Sequence, residues 1–303
     1  MRHIAVTGST GFLGKWLVSE LLKLGAHVTA IVRPGNVFYA NQPTHSNLTV
    51  VECDMRDSLL LIEKLDGKEL NAFYHLAWEG ASGIARTDHV IQMANVKVCL
   101  DCYHAARTLL CEKFITVGTI GEFMADAALE RNVVSENFVY VLSKSFCAKL
   151  LKIASNDSPC KALWCTLSNV YGPGNTTGNL INYTIKELLA GNKPTFGPAE
   201  QLYDFIHVWD CVRALVAVGE VESPESQYTV SSDNPRQLKE FLLQVRDCIN
   251  PEFEIGIGER KDDGTFYEKE WFSNEKLKKD TGFLPEYSFQ QGIETTLKEF
   301  QER

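Results

Sequence analysis

Residues 4–14 read Ile-Ala-Val-Thr-Gly-Ser-Thr-Gly-Phe-Leu-Gly, and an amphipathic run follows directly at Lys15–Leu24. A β-branched apolar segment thus leads through three glycines into the start of a helix. Glycines permit a tight turn and let backbone N–H groups approach a phosphate, whose charge is favoured by the positive end of the helix dipole. The segment therefore predicts a phosphate-binding loop made by Gly8, Ser9, Thr10, Gly11, Phe12 and Leu13. A plain left-handed turn between strand and helix is the alternative.

The first half of the chain repeats this alternation of short apolar runs and longer amphipathic ones. Strand candidates are Ile4–Thr7, Val28–Val32, Thr49–Glu52, Ala72–Leu76, Phe114–Val117 and Ala162–Leu167. Helix candidates between them are Leu13–Leu24, Ser58–Leu65, Val90–Leu109 and Tyr140–Ala154. This pattern is typical of a parallel sheet covered by helices on both faces, so we predict a doubly wound α/β fold.

The pattern changes after about residue 170, where Tyr171–Gly174 forms a cluster of turn residues. A helical run at Leu180–Ala190 follows, and short strands then mix with helical runs at 209–219, 236–248 and 290–301. We expect residues 1–170 to form a dinucleotide-binding domain and residues 171–303 a smaller α/β substrate lobe, with some chain crossing back to the sheet. Such a lobe would form one side of a ligand cleft.

Composition excludes several classes of partner. The formal net charge is -9 and the pI is about 5.4, which disfavours nucleic acid because binding its phosphates requires clustered Lys and Arg. No apolar run is long enough to span a bilayer, so we expect a cytoplasmic protein without a membrane partner. The nine cysteines are scattered and indicate reduced thiols. Cys99, Cys102, His104 and Cys111 fall in one helical pattern without a second ligand pair, so we expect no metal site.

Further motifs point to one protein family. Gly8-x-x-Gly11-x-x-Gly14 has the spacing of a TGxxGxxG turn, and Asn169–Gly174 reads Asn-Val-Tyr-Gly-Pro-Gly. Tyr203–Asp210 is similar to an RDFIHVDD segment, and Lys276–Pro285 to a KAxxxLGWxP helix. In this order the motifs resemble those of the extended short-chain dehydrogenases, the NAD(P)-dependent epimerase/dehydratase family. The resemblance covers nearly the whole chain and implies a Rossmann-like fold with a nicotinamide cofactor.

The resemblance also implies the rest of the cofactor site. Asp54, with Met55 beside it, resembles the family's carboxylate that contacts adenine, and Leu76-Ala77 resembles the segment beside the ribose. NAD-preferring members end the second strand with an acid, whereas this chain has Val32-Arg33. A guanidinium can hold a 2′-phosphate that a carboxylate would repel. We therefore expect NADP(H), with NAD(H) possible, and a solvated Arg33 without a ligand is the alternative.

Tyr140 and Lys144 form the candidate catalytic pair. They are four residues apart, so a phenol and an ammonium lie on one face of the predicted helix. A nearby cation and an oxidised nicotinamide ring both favour phenolate and lower the pKa of the tyrosine, which makes proton transfer near neutral pH feasible. A helical pair without function is the alternative. The resemblance places Thr119 as the third catalytic residue, bound to the substrate oxygen, and places Lys144 also on the nicotinamide ribose.

The residues after Thr119 bear on the reaction. Dehydratases of the family need an Asp-Glu pair there, but this chain has Ile120-Gly121-Glu122, with the acid one or two places late. We therefore expect an NADPH-dependent reductase acting on a nucleotide-diphosphate-linked 4-keto-6-deoxy sugar. A nucleotide-sugar 4-epimerase with tightly bound NAD is the first alternative. A non-catalytic NADP-binding redox sensor and an enzyme acting on a lipid or phenolic ketone are the others.

The substrate residues follow from the resemblance alone. It implies that Thr119, Asn169, Asn179, Leu180 and Arg260 contact the nucleotide sugar. Two positions depart from the family, since Tyr203 and Thr166 stand where relatives usually carry arginine. A loop charge without a ligand is the alternative for Arg260. The resemblance further implies a homodimer, formed by the helix that carries Tyr140 and the long helix before it.

Overall fold

A computed structural model describes residues 2–130 and 135–302, and within them the chain forms a seven-stranded central sheet. The strand order is β10-β6-β5-β4-β1-β2-β3, and the register pairs of β1 with β2 and β4, of β2 with β3 and of β4 with β5 are parallel. The sheet strands are β1 (His3–Thr7), β2 (His27–Val32), β3 (Leu48–Glu52), β4 (Ala72–His75), β5 (Lys113–Thr119), β6 (Lys161–Leu167) and β10 (Gln227–Val230). This order reverses at β1, as in a doubly wound fold, so the predicted fold class is confirmed.

Two small two-stranded sheets accompany the central one in the described part of the chain. The first pairs β7 (Asn169–Tyr171) with β9 (Phe205–His207), and the second pairs β8 (Leu202–Tyr203) with β11 (Arg236–Gln237). The helices are α1 (Phe12–Lys23), α2 (Ser58–Leu65), α3 (His89–Thr108), α4 (Gly121–Glu130), α5 (Phe138–Ser155), α6 (Leu180–Leu189), α7 (Val208–Glu220), α8 (Leu238–Ile249), α9 (Glu275–Thr281) and α10 (Phe289–Glu302). Helix α4 is absent from the sequence-based predictions.

Short polar side chains set the starts of several helices. The Asp88 carboxylate accepts hydrogen bonds from the backbone N–H groups of Val90 and Ile91, at 2.8 and 3.1 Å, where α3 begins. Asp57 caps α2 in the same way through the N–H of Leu60. These contacts satisfy donors that have no partner inside the helix, so the local sequence fixes where each helix begins.

The chain divides into two compact units. The first contains Met1–Thr166 and Val212–Tyr228, and the second contains Leu167–Cys211 and Thr229–Arg303. A core in the first unit has Phe73, Phe114 and Trp164 at its centre, under buried faces of α3 and α5. A core in the second unit gathers Phe205, Phe241 and Ile293. Strands buried on both faces explain why the sheet segments read as continuous apolar runs.

The described helices and cysteines bear on membrane insertion, disulfide formation and metal binding. In residues 2–130 and 135–302, we find no helix with the length and apolar character that crossing a membrane requires. The cysteines are free thiols, and all of them except the half-buried Cys248 are buried. Among the described residues, no three His, Cys, Asp or Glu side chains are grouped as metal ligands.

Candidate active site

The glycine loop between β1 and α1 has a geometry that only glycine allows. Gly8 has φ +65°, and a Cβ added there would lie 2.7 Å from the backbone N of Ala77. A Cβ on Gly14 would overlap the carbonyl oxygen of Gly8 and lie 2.7 Å from Ser9 Cα. The turn is closed by a 2.9 Å hydrogen bond from Gly11 N to Gly8 O. The loop therefore packs against the end of β4 and the start of α1, and its residues fit a dinucleotide cradle.

Two hydrogen bonds made by Ser9, one of them with Tyr39, fix the conformation of this loop. The Ser9 side chain is fully buried and donates to the Ile31 carbonyl at 3.2 Å. The Tyr39 hydroxyl donates to the Ser9 carbonyl at 2.9 Å. Both contacts use atoms of Ser9 that point away from solvent, so Ser9 acts here through the shape of the loop.

A cavity of about 590 Å³ in the same unit is lined by the predicted adenosine residues Arg33, Asp54, Met55 and Ala77. Trp78 and Asn95 also line it. The Arg56 guanidinium contacts the Asp54 carboxylate at 2.5 Å and lowers the pKa of Asp54 to about 2. Asp54 is thus an ionised acceptor at neutral pH, which suits hydrogen bonds from an adenine amino group.

Arg33 has an acidic neighbour that sequence reasoning missed. Its Nη2 lies 3.4 Å from Glu79 Oε2, and both side chains are exposed. Glu79 in turn is held through its backbone, because its N–H donates to Asn95 Oδ1 at 2.9 Å. A ligand phosphate at Arg33 would therefore compete with the Glu79 carboxylate for the guanidinium.

Lys144 is buried, with 3% of its surface exposed. Its Nζ donates to the Val117 carbonyl at 2.8 Å and lies 3.7 Å from the centroid of the Trp78 ring. Burial is the main cause that lowers the pKa of Lys144 to about 8. The ammonium is therefore fixed between β5 and the residue that follows the His75-Leu76-Ala77 segment.

Tyr140 is also buried, and its ring contacts a cation that the sequence did not suggest. The guanidinium Cζ of Arg86 lies 4.2 Å from the centroid of the Tyr140 ring, and Trp78 meets the same ring edge-on at 6.3 Å. Burial raises the pKa of Tyr140 to about 12, and the charge of Arg86 opposes that rise. The expectation that Lys144 lowers this pKa is wrong for the protein alone, because Lys144 is directed to Val117 and Trp78.

Thr119 ends β5, directly before α4. Its hydroxyl oxygen accepts a long hydrogen bond, 3.4 Å, from the backbone N of Gly121, and this contact does not use the O–H as a donor. Its backbone N–H donates to Glu122 Oε1 at 2.7 Å. The other oxygen of Glu122 accepts from the indole Nε1 of Trp164 at 3.1 Å. Glu122 is therefore a buried structural acceptor.

Gln92 on α3 forms hydrogen bonds that fix the segment carrying Trp78 and Arg86. Gln92 is fully buried, accepts from Trp78 Nε1 at 2.7 Å and donates to the Ala85 carbonyl at 2.9 Å. Arg86 is itself held by a 2.9 Å hydrogen bond to the Ala81 carbonyl. These residues form no periodic pattern in the sequence. Only the position of Trp78, directly after His75-Leu76-Ala77, could have indicated a role in the site.

The remaining predicted substrate residues lie in the second unit. Asn169 Nδ2 donates to the Asp204 carbonyl at 3.0 Å. Asn179 caps α6 by accepting from Asn182 N at 2.8 Å, and Leu180 is the first residue of that helix. Arg260 is exposed and donates to Thr195 Oγ1 and to the Tyr183 hydroxyl, both at 2.8 Å. Since Tyr183 belongs to α6, Arg260 is anchored to the helix that Asn179 begins.

The two positions that depart from the family carry no cation and are occupied by packed side chains. Thr166 is fully buried and accepts a 3.0 Å hydrogen bond from Gln227. Tyr203 stacks on Phe205 at 5.7 Å and meets Tyr267 edge-on at 5.3 Å. Arg236 lies directly opposite Tyr203 in the β8–β11 pair and stacks on Phe241.

Comparisons with known proteins agree with this fold. The chain is 28% identical to CDP-abequose synthase of Salmonella typhimurium, over 98% of this chain and 97% of that protein. It is 25% identical to a dTDP-glucose 4,6-dehydratase of Xanthomonas campestris, over 96% and 91%. Its fold is similar to that of dTDP-glucose 4,6-dehydratase from Bacillus anthracis in complex with NAD, with a TM-score of 0.81 at 20% identity over 100% and 97% of the two chains. The NAD dependent epimerase/dehydratase family matches residues 4–230, and this chain therefore belongs to that family.

Proposed function

We propose that this protein is an NADPH-dependent reductase that converts the 4-keto group of a nucleotide-diphosphate-linked 6-deoxy sugar to a hydroxyl. The observation that carries the proposal is a buried Tyr140, whose pKa burial raises to about 12, in the same unit as the glycine cradle, with Ile120 and Gly121 directly after Thr119. A carbonyl reduction needs a proton donor at this point, and a phenol with a raised pKa is protonated at neutral pH.

Each residue of the site has a separate role in the proposed reduction. A nicotinamide dinucleotide held by the glycine loop would supply the hydride for the new C–H bond at the carbonyl carbon. Tyr140 donates its phenolic proton to the carbonyl oxygen, so that the C=O double bond becomes an alcohol. Thr119 donates a hydrogen bond to the same oxygen and orients it. Arg86 provides positive charge that stabilises the phenolate left behind, and we assign Lys144 to the ribose hydroxyls of the nicotinamide.

Dehydration fits this site less well because the nearest acid is already used. Both oxygens of Glu122 accept hydrogen bonds from Thr119 N and Trp164 Nε1 inside the protein. A dehydratase acid must donate a proton to the leaving hydroxyl, which this carboxylate cannot reach without giving up those partners. Reduction requires no such acid.

Arg33 supports NADP(H) as the cofactor, and its pairing with Glu79 keeps NAD(H) as the second possibility. The guanidinium lines the adenosine cavity and can turn from Glu79 to a 2′-phosphate, which offers more negative charge and more acceptor oxygens. If Glu79 keeps Arg33, the pocket suits NAD, and the 4-epimerase alternative with tightly bound NAD gains support. The cofactor released when the purified protein is denatured distinguishes the two.

The substrate class draws on the relatives and on Arg260. The names of the two sequence relatives give a CDP-linked product and a dTDP-linked substrate. Arg260, fixed by Tyr183 and Thr195, is the cation that we assign to the diphosphate, and Asn169, Asn179 and Leu180 to the remaining substrate contacts. Loss of arginine at positions 166 and 203 makes Arg260 the main candidate for this role.

A homodimer through α3 and α5, in the cytoplasm, completes the proposal. Phe146 and Ile153 on α5 are 45% and 73% exposed and lie seven residues apart on one face. Val90 and Met93 on α3 are 66% and 49% exposed. Such apolar residues would be covered by the same two helices of a second copy. Elution as a monomer at micromolar concentration would argue against this arrangement.

The function is tested with Tyr140→Phe and with nucleotides. We expect the variant to bind NADPH normally and to lose at least about a hundredfold in turnover, as for loss of a general acid. Lys144→Met should lose both turnover and cofactor affinity, while Lys149→Met, at an exposed position of the same helix, should match the wild type. Thermal shifts with CDP, dTDP, UDP and GDP identify the base. Wild-type turnover in Tyr140→Phe, or no shift with any nucleotide, would refute the proposal.

A further inference from the structure

Glu122 is a buried acid that the proposed reaction does not use as a proton donor. It lies in the first turn of α4 with 4% of its surface exposed. Its two oxygens accept from two N–H donors on different strands, Thr119 N on β5 at 2.7 Å and Trp164 Nε1 on β6 at 3.1 Å. Each donor uses a different oxygen of Glu122, and only an ionised carboxylate offers both oxygens as acceptors without an O–H of its own.

The space around this carboxylate is shaped to fit it. A Cβ on Gly118 would overlap both Glu122 Oε1 and Trp164 Nε1, so the residue before Thr119 leaves room for the pair by lacking a side chain. Gly121 is equally close-packed, since a Cβ there would lie 2.9 Å from Val141 Cγ1 on α5. The end of β5 is thus enclosed by α4, α5 and β6.

Lys144 holds the same strand end from α5. Its ammonium binds the Val117 carbonyl, two residues before the N–H that Glu122 binds. A cation on an acceptor and an anion on a donor therefore fix Val117–Thr119 from two helices. Each bond is charge-assisted, and such bonds are stronger than those between neutral groups.

The charged and titratable groups that face Glu122 come from both helices. Lys144 on α5 favours its ionised form, as do the two N–H donors, while Asp126 on α4 opposes ionisation. Tyr140 and Cys147, also on α5, interact with its charge. Burial outweighs the favourable groups and raises the pKa of Glu122 to about 7.

We propose that Glu122 is a positioning residue whose ionised carboxylate holds the end of β5 so that the Thr119 hydroxyl meets the substrate. Protonation turns one acceptor oxygen into a donor and frees either the Thr119 N–H or the Trp164 indole. The Thr119 backbone then loses its anchor, and the hydroxyl that orients the carbonyl oxygen loses its fixed place. This inference rests on the proposed function for its effect on turnover, but its structural part is testable without a substrate.

The substrate-free test is amide hydrogen exchange of the peptide that contains Thr119. At pH 8 we expect the wild type to protect this amide, and Glu122→Gln to lose about tenfold in protection, the worth of one charge-assisted hydrogen bond. Lowering the pH of the wild type to 6 should reduce protection in the same way, after correction for intrinsic exchange. Glu130→Gln, at an exposed position of α4, is the matched control and should change nothing.

The catalytic test is the pH profile of kcat. Wild-type kcat should fall as the pH drops through about 7, because the carboxylate is lost there. At pH 8, the kcat of Glu122→Gln should be about tenfold lower than that of the wild type, with an unchanged KM for NADPH. Its pH profile should lack the acidic limb that the wild type has at about pH 7. Trp164→Phe removes one donor and leaves the carboxylate one partner short, so it should shift the limb to higher pH.

The outcomes separate the two proposals. Normal kcat, normal protection and an unchanged acidic limb in Glu122→Gln would overturn the positioning role. Altered amide protection without turnover of any nucleotide sugar would refute the proposed function and leave the role of Glu122 at the end of β5 in place. If Glu122→Gln does not fold, Trp164→Phe and the wild-type exchange at pH 6 decide the matter, and equal protection at pH 6 and 8 would overturn the inference.

Discussion

The guanidinium of Arg86 lies over the ring of Tyr140, with its Cζ 4.2 Å from the ring centroid. The two residues are far apart in the sequence, and Arg86 reaches the ring from a short 3₁₀ turn at Ile84–Arg86. Cation–π contact stabilises a neutral ring, and a phenolate gains more from the same cation. The contact therefore favours the charge that Tyr140 acquires when it gives up its proton.

Removal of the Arg86 charge should slow the proton step. We expect Arg86→Gln to lower kcat about tenfold, within the range of a desolvated cation–π contact, and to move the basic limb of the pH profile upward. The cause is a further rise in the pKa of Tyr140 once burial acts unopposed. Steady-state kinetics at several pH values measure both effects. Arg107→Gln, exposed on α3, is the control, and equal losses in the two variants would argue against a specific role.

Arg33 and Glu79 should control cofactor preference in opposite directions. Arg33→Ala is expected to raise the Kd for NADPH by about tenfold to a hundredfold and to leave that for NADH unchanged, since only NADPH carries the 2′-phosphate. Glu79→Gln should lower the Kd for NADPH by a few fold, a small effect because the ion pair is exposed. Fluorescence titration with both cofactors measures these values. Equal effects of Arg33→Ala on NADPH and NADH would contradict the 2′-phosphate assignment.

The glycine cradle should not tolerate one added methyl group. Gly14→Ala places a Cβ against the Gly8 carbonyl and 2.7 Å from Ser9 Cα, so we expect a loss of about 1–3 kcal/mol in the free energy of unfolding together with weaker NADPH binding. Gly178→Ala has open space around its Cβ and should behave as the wild type. Thermal unfolding and cofactor titration of the pair measure this. Normal NADPH binding by Gly14→Ala would show that the loop does not approach the dinucleotide closely.

His75 should make the fold sensitive to acid. It is 1% exposed, its Nδ1 lies 2.9 Å from Thr7 Oγ1, and burial lowers its pKa from 6.5 to about 3. The unfolded chain therefore binds a proton that the folded chain does not between these values, so acid favours unfolding and stability falls as the pH drops below 6.5.

The variant His75→Asn isolates this contribution. It lacks a group that titrates in that range, so its unfolding temperature should decline less between pH 7 and pH 5 than that of the wild type. Glu122 acts in the opposite direction, because its raised pKa makes the folded chain hold a proton more tightly between its ordinary pKa and about 7. Both proteins contain Glu122, so its contribution to the pH dependence of stability cancels when the variant is compared with the wild type. An identical decline in both proteins would show that His75 does not titrate on unfolding.

The sequence by itself determined the doubly wound fold and the glycine loop. Each depends on local order along the chain: β-branched strand, three glycines at fixed spacing, then an amphipathic helix. Tyr140 and Lys144 were predictable as residues on one face of a helix for the same reason. Helix α4 was missed, and its start is stabilised by a contact within the fold, in which Glu122 accepts a hydrogen bond from the Thr119 N–H.

Only the tertiary structure decided which charges meet. Lys144 turned out to bind Val117 and Trp78, and Arg86, from another segment, took the place over the Tyr140 ring. Glu79 reached Arg33 from the segment after β4, and Trp164 on β6 reached Glu122 on α4. Contacts of this kind depend on the paths of side chains through a packed interior, and burial then sets each pKa. Neither these contacts nor these pKa values can be predicted from spacing along the chain, because parallel strands bring together residues that are many positions apart.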